Sequence, residues 1–407
     1  MKPWIELGYT PCWMSGPAAV PADSYWPTVD YGICVGSPTR LSDWTDLIDH
    51  YVGTMVERYG VEEVESWVWV LYNEPGGINA FSKEWQTGGF TYYEMFFATS
   101  LAIKKHSQKI TFGGLSDGAF NAEILMNMTK EVPEREGAFD IFTYHGYCNG
   151  KTPAQCAANQ IETVKGLREV LPPDMPIYLE ETGSSAGCYV PFHDTTGEAA
   201  FVVPYVAAMH AANLTGAHWW CASDLYTEHG CPPAGKGFEW IPHENFSGGM
   251  PRSEFTGRWG FTTPSGIPKP IHRAFELLHA AGTARLEVTA EPGGTCGDWT
   301  TALALANSTS AGSGATGMMI FLSNTGKANC SVTVAGLQGS SASLHTIDST
   351  HGNPFGLWES WGSPPFPTLK QTAELMDASA YHPVGVGVAK EGVLVELEPN
   401  ALQVLVL

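Results

Sequence analysis

An unbroken run of apolar and aromatic residues extends from Trp67 to Tyr72 and ends abruptly at Asn73-Glu74-Pro75. A run without polar alternation is typical of a strand that is buried on both faces, as in a parallel sheet. Pro75 ends the strand because proline has no backbone N–H to donate. Enzymes built on α/β barrels place their reacting groups at the carboxyl ends of such strands, so Glu74 is the first candidate for chemistry. The alternative is a loop glutamate beside a turn proline.

Similar runs alternate with helical patterns up to about residue 281. From Trp44 to Tyr59, apolar residues recur at three- and four-residue steps, which predicts an amphipathic helix with Ser42 or Asp43 as its N-cap. Alternating strands and helices indicate right-handed βαβ units and a parallel sheet. The other predicted helices are 90–106, 120–130, 153–171, 198–213 and 269–281. The predicted strands are near 2–7, 67–72, 110–114, 139–144, 176–181 and 216–221.

The spacing of these units favours an α/β fold of the (β/α)8 TIM-barrel type, of which six βα units are evident. After about residue 283 the helical periodicity ends, and Gly, Ser and Thr separate short alternating runs, which predicts a β-sandwich. Its strands are predicted at 318–323, 331–334, 343–347, 392–397 and 401–407, with one helix at 367–379. The predicted domains are a catalytic barrel domain at 1–283, incomplete on its N-terminal side, and an accessory β-sandwich domain at 284–407.

Composition narrows the class of partner. Of the 407 residues, 43% are hydrophobic and 15% are charged, which is typical of a globular protein. The formal net charge of −21 opposes binding to nucleic acid and to anionic membrane surfaces. No apolar run is long enough to span a membrane. We therefore expect a substrate that is neutral or whose charge is matched locally.

Cysteines and glycosylation sequons indicate the compartment. Nine cysteines favour an oxidising, glycosylating route to a secreted, extracellular or lysosome-like location, although the chain begins without a signal peptide. The sequons are at Asn127, Asn213, Asn245, Asn307 and Asn329. The local pairs open to the chain are Cys148–Cys156, Cys221–Cys231, Cys12–Cys34 and Cys296–Cys330, which leaves Cys188. No paired Cys or His spacing indicates a metal site, and no cofactor is predicted.

A second buried run, at 176–181, also ends in carboxylates, at Glu180 and Glu181. Side chains alternate along a strand, so only one of the two is expected to face the mouth of the barrel. Two carboxylates at one rim are what glycoside hydrolysis requires, because one protonates the departing oxygen and the other attacks the anomeric carbon or activates water. The alternative for this pair is a solvated turn.

Five segments stand out along the chain: KPWIELGYTP at 2–11, WVLYNEP at 69–75, FDIFTYHGY at 139–147, PIYLEE at 176–181 and WWCASD at 219–224. In this order they resemble glycoside hydrolase family 39, the β-xylosidase and α-L-iduronidase group of retaining barrel hydrolases. The resemblance implies a barrel followed by a β-sandwich, and it aligns 2–7 with the family's third barrel strand. The family's first two βα units then have no counterpart in this sequence, which leaves sheet edges for another element to cover.

The resemblance also implies roles for individual residues. Glu74 matches the family's acid/base, and Glu181, rather than Glu180, matches its nucleophile. These roles imply a double displacement with retained configuration. Asn73, beside the acid, is expected to hydrogen-bond the sugar 2-hydroxyl; its alternative is a turn residue.

The remaining candidates for sugar binding follow other predicted strands. His145 and Tyr147 are expected to orient the nucleophile or contact sugar hydroxyls, with a core histidine as the alternative for His145. Of two adjacent tryptophans, the family position favours Trp220 as the stacking platform. Asp224, in the Ser-Asp pair that follows, and Glu6, near the end of the first strand, are the last candidates.

The expected function is hydrolysis of terminal β-xylosyl or related residues from a carbohydrate substrate. Iduronidase action is the first alternative, and it needs a cation for the substrate carboxylate, with Arg252, Arg258 and Lys236 as sources. A second alternative is a non-catalytic carbohydrate-binding glycoprotein derived from such a hydrolase.

Overall fold

The computed structural model describes residues 2–11, 13–14, 37–75, 90–118, 122–187, 190–225, 254–289, 296–297, 299–306 and 317–407. The chain divides into two compact units. The first comprises Met1–Gly146, Glu162–Thr182 and Ala212–His218, and the second comprises Tyr147–Ile161, Gly183–Ala211 and Trp219–Leu407. The predicted domain boundary at residue 283 stays a prediction.

The first unit is built on a six-stranded sheet whose strands follow one another in chain order. Its registers are parallel where Trp4 pairs with Val68 and where Gly113 pairs with Ile141. The predicted parallel sheet and fold class are therefore confirmed. The strands are β1 (Trp4–Leu7), β2 (Val68–Leu71), β3 (Thr111–Gly114), β4 (Ile141–Tyr147), β5 (Ile177–Gly183) and β6 (Gly216–Trp219).

Helices connect these strands as predicted, with α2 as an addition. The first helix begins at Leu41, and Arg40 precedes it with extended backbone and no side-chain cap. The predicted N-caps Ser42 and Asp43 are wrong, because both lie inside the helix. The helices between β1 and β5 are α1 (Leu41–Tyr59), α2 (Val61–Glu65), α3 (Tyr92–Lys104), α4 (Ala122–Glu131) and α5 (Pro153–Val170).

The sheet curls so that its terminal strands approach one another. The Trp4 ring on β1 lies edge-on to Tyr178 of β5 and His218 of β6, with centroid distances of 4.9 Å and 4.5 Å. A flat sheet would separate β1 from β6 by the width of four strands. The contacts therefore give the six strands the curvature of a barrel wall.

Gly113 is required where β3 meets β4. A Cβ atom at this position would lie 2.3 Å from the backbone oxygen of Ile141, which is closer than two such atoms can approach. Only glycine permits this spacing without moving a strand. The residues that follow β3 are thereby held against β4.

The second unit contains antiparallel sheets and several helices, among them α6 (Thr196–Ala211) and α7 (Pro270–Ala280). Its other elements are β7 (Ala284–Leu286), β8 (Thr300–Ala306), β9 (Met318–Asn324), β10 (Cys330–Val334), β11 (Ser341–Ile347), α8 (Pro354–Ser360), α9 (Leu369–Ala378), β12 (Val384–Gly387), β13 (Val393–Leu397) and β14 (Ala401–Val406). The larger sheet has the order β12-β11-β14-β9-β8-β7, and β10 pairs with β13 in a smaller one. Val203 of α6 and Leu277 of α7 share a core with Phe321 and Leu402 of the larger sheet.

Two of the disulfides considered from the sequence are present, Cys148–Cys156 and Cys296–Cys330. The other pairs involve Cys12, Cys34 and Cys231, and these residues and Cys188 lie outside the described ranges. In the part of the chain that the structure covers, no helix combines the length and apolar character needed to cross a membrane.

A fully buried lysine joins three segments of the second unit. Lys269 Nζ lies 2.6 Å from Asp194 Oδ1 and 2.7 Å from Asp224 Oδ2, and it donates to the Arg258 carbonyl at 2.8 Å. All three ionic side chains are at most 1% exposed. Burial raises the pKa of both carboxyls, whereas the lysine charge opposes this rise. The group is stable only as a paired set, because a charge left alone in this environment has no water to replace its partner.

We predict that Lys269→Met destabilises the protein by about 3–5 kcal/mol, because it leaves two buried carboxylates without their counter-ion. Urea denaturation gives the difference. Lys370→Met is the matched control, since the Lys370 side chain is 87% exposed and lies 3.7 Å from Glu374; it should change stability by less than about 0.5 kcal/mol. Equal stabilities for the two variants would contradict the prediction.

Candidate active site

The chain turns sharply after β2, and this turn presents Glu74. Tyr72 and Glu74 have φ values of 66° and 43°, in the left-handed region that residues other than glycine seldom adopt. Such backbone costs on the order of 1–3 kcal/mol and persists only where surrounding contacts hold it. One contact that holds it is the hydrogen bond from the Glu74 backbone N–H to the Ser116 carbonyl, at 2.8 Å.

Glu74, His145 and Glu181 come together at the carboxyl ends of β2, β4 and β5. Nδ1 of His145 lies 3.0 Å from Glu74 Oε1 and 3.5 Å from Glu181 Oε2. One oxygen of each glutamate and one imidazole nitrogen all lie within 4.8 Å of one another. The structure thus brings together three of the residues that the sequence singled out.

The imidazole of His145 is the basic group between these carboxylates. Desolvation is the largest influence on its pKa and lowers it, but the hydrogen bond to Glu74 and the charges of Glu181, Glu74 and Glu180 outweigh that effect. The pKa consequently rises from 6.5 to about 9, so His145 carries a proton at neutral pH. In that state its Nδ1–H donates to Glu74.

Glu180 and Glu181 have different surroundings, as strand alternation predicts. Glu180 is 8% exposed, and its two oxygens accept hydrogen bonds from Trp4 Nε1 and Ser116 Oγ, each at 2.6 Å. Glu181 instead approaches His145. These contacts fit the assignment of Glu181, rather than Glu180, as the reacting carboxylate.

Glu6 lies on β1, and its side chain is open to solvent on one side. Protein surrounds the carboxyl elsewhere, and desolvation followed by the charge of Glu180 raises its pKa to about 8. Glu181 and Glu74 raise the pKa further, and His145 lowers it. Glu6 therefore belongs to the same electrostatic cluster.

In the side-chain amide of Asn73, next to Glu74, the nitrogen has a hydrogen-bond partner and the oxygen has none among the described residues. Its Nδ2 donates to the Tyr9 hydroxyl at 3.2 Å. Its Oδ1 is buried and has no hydrogen-bond partner among the residues that the structure describes. The contact with Tyr9 anchors the side chain, and the predicted hydrogen bond to the sugar 2-hydroxyl stays a prediction.

The other predicted sugar-binding residues, Tyr147, Trp220 and Asp224, belong to the second unit. Tyr147 and Trp220 are half-buried. Asp224 is 0% exposed, and it accepts a hydrogen bond from the Gly260 N–H at 2.8 Å besides its ion pair with Lys269. These contacts give Asp224 a structural role, so the predicted sugar contact is not supported. The roles of Tyr147 and Trp220 stay predictions.

The same cluster is the donor set that a metal ion could use. One imidazole nitrogen and two carboxylate oxygens, from His145, Glu74 and Glu181, match ligands that zinc accepts. Hydrogen bonding between His145 and Glu74 accounts for their distance without an ion. The prediction that the protein needs no cofactor stays a prediction.

Two residues of the site, Ser116 and Trp4, could not be singled out from the sequence. Ser116 follows β3, so it stands at the same edge of the sheet as the glutamates, but a serine in a turn gives no signal of its own. Trp4 was included in the resemblance without a role, because its contact with Glu180 joins residues 176 positions apart.

A curled parallel sheet with two glutamates close together at its carboxyl edge defines a class of protein, the barrel glycoside hydrolases. The family follows from comparison of the whole chain. The chain belongs to the glycosyl hydrolases family 39, whose family model matches residues 1–393.

Relatives and solved structures agree with this assignment. A β-xylosidase of Caldicellulosiruptor saccharolyticus is 26% identical over 396 residues, which cover 93% of this chain and 73% of the relative. A β-xylosidase of Geobacillus stearothermophilus is also 26% identical, over 69% of this chain and 53% of its own length. The structure of a family 39 β-xylosidase from Caulobacter crescentus has a TM-score of 0.75 at 23% identity and covers 100% of this chain and 79% of its own.

One structural neighbour has a different activity in its name. A bacterial orthologue of human α-L-iduronidase has a TM-score of 0.64 at 20% identity, over 90% of this chain and 66% of its own. At this identity the likeness shows the fold alone.

We predict that Glu74→Gln lowers the pKa of His145 from about 9, because the Glu74 hydrogen bond is the largest influence that raises it. An NMR titration of the imidazole ¹⁵N signals measures the change. The pKa of His145 is higher in the folded protein than the ordinary value of 6.5, so its pairing with Glu74 stabilises the fold. This stabilisation is fully present below about pH 6.5 and disappears as the pH rises through about 9. Glu162→Gln, on an exposed part of α5, should leave the His145 titration unchanged. If His145 of the wild-type protein titrates near pH 6.5, the hydrogen bond between His145 and Glu74 would be refuted.

Proposed function

We propose that the protein hydrolyses terminal β-xylosyl or closely related neutral glycosyl residues with retention of configuration. The observation that supports this most directly is the approach of Glu74 and Glu181 oxygens to within 4.8 Å. Retaining glycosidases separate their carboxyl groups by about 5 Å, whereas inverting enzymes leave about 6.5–9.5 Å for a water molecule. The two β-xylosidase relatives support the choice of sugar.

The proposed reaction has two steps. In the first, Glu181 attacks the anomeric carbon, the glycosidic C–O bond breaks, and Glu74 gives its proton to the departing oxygen. In the second, Glu74 takes a proton from water, and the resulting hydroxide displaces Glu181 from the sugar. Both carboxyl groups return to their starting states, and the product keeps its anomeric configuration.

His145 accounts for the proton that Glu74 must hold. When His145 is protonated and both glutamates are ionised, the three groups carry one net negative charge. Transfer of the Nδ1 proton to Glu74 Oε1, over 3.0 Å, preserves that charge and produces the acid. Substrate binding excludes water and so favours this neutral form of the His145–Glu74 pair over the ionic one.

The cluster of carboxylates favours a neutral sugar over a uronide. Glu74, Glu181 and protonated His145 together carry one net negative charge, so a substrate carboxylate beside the reacting pair would be repelled. The cations considered for a uronide give no support: Arg258 is 3% exposed, and Arg252 and Lys236 lie outside the described residues.

We predict that Glu181→Gln abolishes hydrolysis of para-nitrophenyl β-xyloside, because it removes the attacking carboxylate. Glu74→Gln should lower kcat/KM by about 10²–10⁴-fold with xylobiose, whose leaving group needs a proton, and by much less with dinitrophenyl β-xyloside, because kcat/KM reports the first step alone. Glu162→Gln serves as the control for both. Undiminished activity of Glu181→Gln would exclude the assigned nucleophile.

We also predict that the wild-type protein hydrolyses para-nitrophenyl β-xyloside and leaves 4-methylumbelliferyl α-L-iduronide intact. The physical reason is the negative charge at the site. Fluorescence and absorbance assays on the same preparation measure both activities. Preference for the iduronide would reverse the assignment, and binding of xylo-oligosaccharides without turnover, measured by calorimetry, would support the non-catalytic alternative.

A further inference from the structure

We infer that Ser116 is a positioning residue that fixes the relative positions of the two reacting glutamates. It acts on Glu181 through its side chain, by way of Glu180, and on Glu74 through its backbone carbonyl. The inference rests on the proposed function, because it assigns Glu74 and Glu181 as the reacting groups. Ser116 itself is 0% exposed, so its hydroxyl is not placed to touch a substrate.

The Ser116 side chain acts on the nucleophile Glu181 through Glu180, its neighbour in sequence. Ser116 Oγ donates to Glu180 Oε2 at 2.6 Å, and Trp4 Nε1 donates to the other oxygen of the same carboxylate, also at 2.6 Å. Glu180 is thereby fixed from β1 and from the end of β3 at once. Because Glu181 follows Glu180 directly, its backbone position is set by the same two bonds.

The Ser116 backbone carbonyl acts on the acid, Glu74. The Ser116 carbonyl accepts the Glu74 N–H at 2.8 Å, at the point where Glu74 has a φ of 43°. Ser116 itself has a φ of 52°. Two neighbouring strand ends therefore hold one another in uncommon conformations through a single hydrogen bond.

Ser116 is in turn anchored to the strand that carries the histidine. Its N–H donates to Thr143 Oγ1 at 3.1 Å, and the next residue, Asp117, accepts the His145 N–H at 2.9 Å through its carbonyl. The segment at 115–117 thus contacts the backbone of both Glu74 and His145.

The test is Ser116→Gly, which removes the hydroxyl, keeps the carbonyl and suits the positive φ. A displacement of about 1 Å in a reacting group costs on the order of 100-fold in rate. We expect kcat to fall by about 10–100-fold with little change in KM, because the misplaced group acts in the transition state. The loss should be equal for dinitrophenyl β-xyloside and xylobiose, since the hydrogen bond between the carbonyl of residue 116 and the Glu74 N–H is preserved. A loss confined to xylobiose, or none, would overturn the inference.

Stability is controlled with Ser100→Ala. Ser100 is buried in α3 of the same unit and donates to the Ala138 carbonyl, away from the glutamates. This variant loses a comparable hydrogen bond, so it should lower the melting temperature without lowering kcat. A matching loss of kcat in Ser100→Ala would show that destabilisation alone explains the Ser116 result.

Two further readouts keep the inference testable. If Ser116→Gly does not fold, Trp4→Phe removes the opposite hydrogen bond to Glu180 and should lower kcat with both substrates; an unchanged kcat would count against the inference. The Trp4 indole and His145 imidazole NMR signals need no activity, and both should shift in Ser116→Gly. Unchanged signals would overturn the positioning role even if the wild type hydrolyses nothing, whereas an inactive wild type with shifted signals would refute only the proposed function.

Discussion

Negative charge at the carboxyl edge of the sheet is the constraint on which the site depends. Glu6, Glu74, Glu180 and Glu181 all influence the protonation of one another or of His145. Such a group can be kept in a folded protein only if protons and hydrogen-bond donors offset the repulsion. Here the Glu180 carboxylate accepts two hydrogen bonds from neutral donors, Trp4 and Ser116. The pKa of Glu6 is raised to about 8, and the protonated His145 imidazole balances part of the charge of Glu74 and Glu181. The surroundings of these carboxylates therefore differ from one to the next.

The sequence was sufficient for the elements of the first sheet and for the placement of Glu74 and Glu181 at one edge of it. Apolar runs that end in Glu74 and Glu181 predicted the strands and their active edge, since a parallel sheet aligns its carboxyl ends without any further information. Ser116 and Trp4 were not predictable in the same way, because their importance lies in contacts with Glu180 from distant parts of the chain. Asp224 shows the converse, since a family motif predicted a sugar contact at a position that burial and Lys269 assign to structure.

Trp4 links the curvature of the sheet to its chemistry. Its ring contacts Tyr178 and His218 across the interior, and its N–H donates to Glu180. The contacts that bend β1 toward β5 and β6 therefore also fix the carboxylate beside the nucleophile.

Substrate choice must be argued from side chains, because the fold is common to enzymes with different substrates. The backbone hydrogen bonds at the strand ends, such as that from Glu74 to Ser116, determine where the reacting pair lies but are indifferent to the sugar. A neutral sugar and a uronide differ in charge, so charged side chains beside Glu74 and Glu181 are the groups that would distinguish them. A uronidase on this scaffold would need a cation near these glutamates to balance the substrate carboxylate. The sign of the charge at this site is therefore the property on which the proposed preference for a neutral glycoside rests.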